Sequence, residues 1–274
     1  MFGARGVEIK SPDQIALMRE AGIVVGETLD LVRRTLAPGQ TTGELDALAE
    51  DHIRSRGAVP SFLGYHGFPG SLCVSVNDEV VHGIPGDRVI AAGDVVSIDC
   101  GAIVQGWHGD AAITVAVGEV ADDVRELIRV TEEAMWRGIA AAALGGRVTD
   151  ISHAVESYVR SQGDYGILED YVGHGIGSAM HQPPNVPNYG RPGRGPKLVR
   201  GLALAVEPMV VLGSQDTRIL EDDWTVVTLD GSWAAHAENT FTLTPDGAWV
   251  LTALDGGAVR LAELGVPYGG PLPE

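Results

Sequence analysis

Apolar residues recur at helical spacing in two separate stretches of the chain, and each stretch is followed by apolar runs of strand length. In "SPDQIALMREAGIVVGETLDLVRRTLAPG" (11–39), Ile15, Met18, Val25, Leu29 and Val32 form one apolar face. Ser11 can cap this helix, Pro12 suits its first turn, Gln14 completes a capping box, and Pro38-Gly39 ends it. A second helix is predicted from about Thr42 to Gly57. A further pair is predicted over about 121–145 and 149–163, the latter opened by Thr149 and closed by Gly163.

The second helices of the two pairs resemble each other. "LAPGQTTGELDALAEDHIRSRG" (36–57) aligns with "LGGRVTDISHAVESYVRSQG" (144–163) when two positions are gapped. The first pair precedes "GDVVSIDCGAI" and "GDAAITVAV"; the second precedes "GLALAVEPMVV" and "AENTFTLTP". Two amphipathic helices can match by chance, but the same succession of elements makes an internal duplication the better explanation. It also sets acidic residues at matching places: Asp99 with Glu207, and Asp110 with Glu238.

A carboxylate inside an apolar strand is costly unless paired, neutralised or bound to a cation. Asp99 and Asp110 flank "CGAIVQGWHG", which reads as a hairpin turning near Gln105-Gly106 and so brings its two ends together. If Glu207 and Glu238 join them, the four cannot all stay ionised at contact distance, because like charges raise each other's pKa. Two divalent cations would resolve this. Four separately satisfied structural carboxylates are the alternative.

The remaining chemistry is sparse. The net charge of −18 over 274 residues excludes a nucleic-acid surface, so no DNA partner is expected. No run reaches the length of a membrane span, and "MFGARGVEIK" lacks the apolar core of a signal peptide. Cys73 and Cys100 make no disulfide framework, so reduced thiols and a cytoplasmic location are expected. In "VGHGIGSAMHQPP" (172–184), the glycines around His174 argue against a helix, and an odd spacing in a strand would send His174 and His181 to opposite faces. His174 would be the nitrogen donor of the metal set. Four carboxylates and one imidazole suit Mn, Fe, Co or Zn, and paired ions would serve amide hydrolysis.

The ordered motifs "SVNDEVVHGIP", "VVSIDCGAIVQGWHGDAAIT", "GHGIGSAMH", "LAVEPM" and "AENT" resemble the methionine aminopeptidases from about residue 10 to 253. The resemblance implies an α+β pita-bread fold: a pseudo-two-fold antiparallel sheet with helices on its outer face. It implies one catalytic domain, 1–274, with halves at about 11–120 and 121–253 and a short tail, 254–274. The implied activity is removal of N-terminal methionine from nascent chains, preferably before a small second residue, by a metal-bridged hydroxide. The implied metal ligands are Asp99, Asp110, His174, Glu207 and Glu238, around two divalent ions (Co, Mn, Fe or Zn). Asp110 and Glu238 would bridge, Asp99 would hold one ion, and His174 with Glu207 the other. Glu207 would also shuttle a proton, His181 would donate to the scissile carbonyl, and His82 would sit near the substrate's N-terminal backbone.

Resemblance further places Tyr65, Phe68, Cys73 and Trp224 around the methionine side chain. The 30 residues between Glu207 and Glu238 leave no room for the helical insertion of type II enzymes, which implies the short type I form. Asn239 stands where the family commonly has His, and Met180 where an aromatic is usual; both bear on pocket shape. The rivals are Xaa-Pro aminopeptidase and prolidase, which share the ligands but carry a sizeable extra N-terminal domain, and a non-catalytic binding protein of the same fold. A monomer is expected, with ribosome contact an expectation drawn only from substrates that emerge there. "LGVPYGGPLPE" reads as a loosely ordered tail.

Overall fold

The first predicted helix forms as its punctuation requires. In a computed structural model describing residues 6–271, α1 (Pro12–Thr35) carries the full capping box, Ser11 accepting from the Gln14 backbone and Gln14 from that of Ser11. The outermost residues of both termini, including the end of the predicted tail, lie outside the described residues. Thr41 and Glu44 cap α2 (Thr42–Ser55) in the same manner. The second pair is α3 (Asp122–Ala141) and α4 (Val148–Gln162).

Thr149 does not open α4. The N-cap is Arg147, whose backbone N–H is taken by the Asp150 carboxylate at 2.7 Å. Thr149 is spent elsewhere, its hydroxyl holding the Arg194 backbone by N–H at 2.8 Å and C=O at 3.0 Å. The tail also differs from expectation. α5 (Ala258–Glu263), which precedes "LGVPYGGPLPE", buries Leu261, and within that stretch the Gly269 N–H donates to Ala248 O at 2.7 Å, pinning it along the sheet edge.

The main sheet has 9 strands, and its central path is antiparallel. Its order is Val59–Pro60, Val95–Val104, Trp107–Ala116, Glu238–Thr244, Ala203–Val206, Gly173–Gly175, Gln182–Val186. Leu72–Val76 pairs beside Val95–Val104, and Gly247–Val250 beside Glu238–Thr244. The hairpin turns at Gln105-Gly106, both at positive φ (48° and 84°), as a two-residue turn needs.

The sheet's outer face is buried under the helices in two cores. Val25, Leu45, Ile53 and Ile98 belong to one; Leu127, Ile139, Ile151, Val206 and Phe241 belong to the other. Each such side chain contributes about 1.5–3 kcal/mol on burial. The helices reach the sheet closely where side chains are absent: a Cβ on Gly22 would lie 2.1 Å from Leu251 O. Strand alternation then turns the neighbours of these core residues inward: Asp99 follows Ile98, and Glu207 follows Val206. No described helix is long and apolar enough to cross a membrane.

Candidate metal centre

Register brings the acidic residues together. Asp99 lies opposite Ala112, which in turn lies opposite Glu238; Asp110, two residues from Ala112, shares its face. The Asn239–Val206 pairing sets Glu238 beside Glu207, one residue past its strand. His174 enters from Gly173–Gly175, its Nε2 3.3 Å from Glu207 Oε1 and 3.9 Å from Asp110 Oδ2. This strand must be glycine-rich, because Cβ atoms on Gly173 and Gly175 would stand 2.4 Å from Ala205 O and 2.3 Å from Pro183 O.

The structure therefore assembles all five expected donors. Asp110, Glu238 and His174 are buried, whereas Asp99 and Glu207 keep partial exposure. Asp99 Oδ1, Asp110 Oδ1 and Glu238 Oε1 are buried without a hydrogen-bond partner. Burial pushes the Asp99 carboxyl up to about 7. Burial and the neighbouring carboxylates drive Asp110, Glu207 and Glu238 well above the ordinary range. Unpartnered oxygens on mutually repelling acids require protons or cations, and cations satisfy all of them at once. The donor set thus fits hard divalent ions with nitrogen admixture.

The donors are themselves held in place by polar contacts behind them. His174 Nδ1 lies 3.0 Å from Gly175 O, the usual support for an imidazole presenting Nε2. The Thr240 hydroxyl donates to Asp110 O at 2.8 Å, and Asn188 Nδ2 donates to Glu207 O at 3.1 Å. Both Cys73 and Cys100 are free, buried thiols outside the donor set.

The centre opens into a cavity of about 110 Å³. The expected pocket residues Tyr65, Phe68, Cys73 and Trp224 line it, with His82 and His181. Phe68 and Trp224 meet edge to face at 5.1 Å. Tyr65 Oη is 2.9 Å from His181 Nδ1, and the His181 ring stands 4.4 Å from that of His174. Burial lowers the pKa of His181, and lowers His82 and His174 to about 4 and about 3. All three rings are neutral at pH 7.

Two residues, Phe62 and His236, escaped the sequence reading as site residues. Phe62 lines the cavity and is buried, as is Met180, which the sequence had tied to pocket shape. Phe62 lies three residues before Tyr65 in "SFLGYHGF", so adjacency was the available signal. His236 lies against Glu207 and Glu238, its Nε2 3.9 Å from each. Asn239 stands apart from the cavity: its amide donates to Met135 Sδ at 3.4 Å and its Oδ1 accepts from Thr252.

The sequence matches Metallopeptidase family M24 over residues 16–245. It is 54% identical over 245 residues to the methionine aminopeptidase of Clostridium acetobutylicum, covering 89% of this chain and 98% of that one. The crystal structure of methionine aminopeptidase from Thermotoga maritima superposes with a TM-score of 0.88 at 43% identity, over 90% of this chain and 99% of that chain. The prolidase from Pyrococcus furiosus shares the fold (TM-score 0.72, 23% identity), but the match covers 65% of that longer chain and 89% of this one. The curled antiparallel sheet backed by helices is thus the pita-bread fold.

Proposed function

The chain belongs to metallopeptidase family M24, and on that premise we propose that it is a type I methionine aminopeptidase that removes N-terminal methionine, preferably before a small second residue. One observation carries this reading: the five donors converge at the floor of a small cavity walled by Tyr65, Phe68, Cys73 and Trp224. An unbranched thioether fits such a slot and gains sulfur–ring contacts there. Nascent polypeptide N-termini are the proposed substrates. Two buried, unpaired thiols suit a reducing, cytoplasmic compartment.

Asp110 and Glu238 would be shared between two divalent ions, Asp99 would help hold one, and His174 with Glu207 would help hold the other. When bound, such ions keep the carboxylates ionised and acidify water for attack on an amide. The protein's own groups supply the rest. Tyr65 Oη lies 2.9 Å from His181 Nδ1; in the tautomer in which Nδ1 accepts from that hydroxyl, the neutral imidazole carries its proton on Nε2 and can donate to the scissile carbonyl as negative charge develops. Glu207 accepts a proton from the attacking water and passes it to the leaving amine nitrogen as the C–N bond breaks. His82, neutral and held at φ 60°, faces the cavity where the substrate's N-terminal backbone would lie.

The test is release of the first residue from Met-Ala-Ser, Leu-Ala-Ser and Ala-Pro-Ser by chelated protein reloaded with Mn²⁺, Co²⁺ or Fe²⁺ in turn. Chelator-sensitive release of methionine is expected. Cleavage chiefly before proline would move the chain to the prolidase-like peptidases, and tight metal binding without cleavage would favour a non-catalytic role.

A further inference from the structure

His236 ends the short strand Ala234–His236 and pairs with Met209. Its backbone is clamped by one hydroxyl: the N–H donates to Thr114 Oγ1 at 2.9 Å, and the C=O accepts from it at 2.7 Å. The residue is 2% exposed, and its Nε2 has no hydrogen-bond partner. That nitrogen points between two carboxylates, 3.9 Å from Glu207 Oε2 and 3.9 Å from Glu238 Oε2.

These separations are too long for hydrogen bonds. They suit donors sharing a cation, since ligands each about 2.1 Å from one ion lie about 3–4 Å apart. His174, the expected imidazole ligand, stands at 3.3 and 3.9 Å from its two carboxylates, within the same range of about 3–4 Å. Glu207 is thus flanked by two rings, Oε1 facing His174 and Oε2 facing His236. Donor atoms of Glu207, His236 and Glu238 all fall within 4.8 Å of one another.

We propose that His236 is a sixth donor of the metal centre, giving the ion held by Glu207 and Glu238 a second nitrogen ligand. The inference rests on the reading of the cluster as a metal centre. A second imidazole tilts the site towards Fe²⁺, Co²⁺ and Zn²⁺ and away from Mn²⁺, which prefers oxygen.

The experiment is X-ray absorption at the cobalt edge on full-length protein loaded with two equivalents of Co²⁺, with calorimetric titration of each ion. Outer-shell imidazole scattering counts rings: two per pair of ions are expected, against one if His174 alone ligates. His236→Gln keeps a polar side chain of similar reach, and circular dichroism checks its folding. It should lose one ring from the count and bind one ion at least about 10-fold more weakly. One imidazole per pair of ions in the unaltered protein overturns the inference while leaving the metal centre standing. A protein that takes up no Co²⁺ overturns both.

Discussion

Asp99→Asn should stabilise the metal-free protein while weakening its metal binding, and the gain should depend on pH. The Asp99 carboxyl is raised by burial from 3.8 to about 7. Its folded pKa lies above its unfolded one, so the folded chain holds the proton more tightly. The contribution of Asp99 to stability is therefore fully present below about pH 4 and is lost as pH rises through about 7. At about 1.4 kcal/mol per tenfold change in proton affinity, that difference costs about 4 kcal/mol above pH 7. A carboxamide at this position cannot ionise and avoids the cost. Only about a third of it has accrued at pH 5.

For a chain of this length about 2 °C accompanies each kcal/mol, so the variant should melt about 8 °C above the unaltered protein at pH 8. Thermal unfolding with excess chelator, followed by circular dichroism at pH 5 and pH 8, measures this. Excess Mn²⁺ should then reverse the order, because binding to the native state adds stability that grows with the logarithm of affinity. Equal melting temperatures at pH 8, or a gap unchanged at pH 5, would refute the reasoning that burial raises the pKa of this carboxyl and makes its ionisation costly to the fold.

Glu207→Gln should lower methionine release by about 10²–10⁴-fold in fully metallated protein, as removal of a proton carrier does; near-normal turnover with matched metal content would remove Glu207 from that role. Tyr65→Phe frees His181 Nδ1 (now 2.9 Å from the hydroxyl) and should reduce kcat/KM about 5–10-fold, the worth of one such hydrogen bond, measured by steady-state kinetics on Met-Ala-Ser. Gly175→Ala would place a Cβ 2.3 Å from Pro183 O and should cost at least about 3 kcal/mol in urea unfolding, in the range of severe core disruptions.

The local grammar of the chain was largely legible. Ser11, Pro12 and Gln14 specify the start of α1, and Gln105-Gly106 places the hairpin turn that sets Asp99 opposite Ala112, two residues from Asp110 on the same face. Acidic residues interrupting apolar strands marked the centre because such interruptions are costly without a shared partner. What stayed hidden depended on contacts distant in sequence. Thr149 has the chemistry of a cap, but Arg194 claims its hydroxyl. The glycines and prolines near the C-terminus suggested disorder, yet Gly269 and Tyr268 align along Ala248, on which the sequence is silent. His236 lies in a three-residue strand broken from the next at Ala237. Alternation therefore cannot assign its face; pairing with Met209 does.

The central claim is that the carboxylate cluster holds two ions. Anomalous diffraction from crystals grown with Mn²⁺, collected on both sides of the manganese edge, locates them without reference to activity. Two peaks are predicted, both in contact with Asp110 and Glu238, one of them also with Asp99 and the other with His174 and Glu207. No peak among these side chains at saturating Mn²⁺, or peaks elsewhere on the molecule alone, would contradict the account.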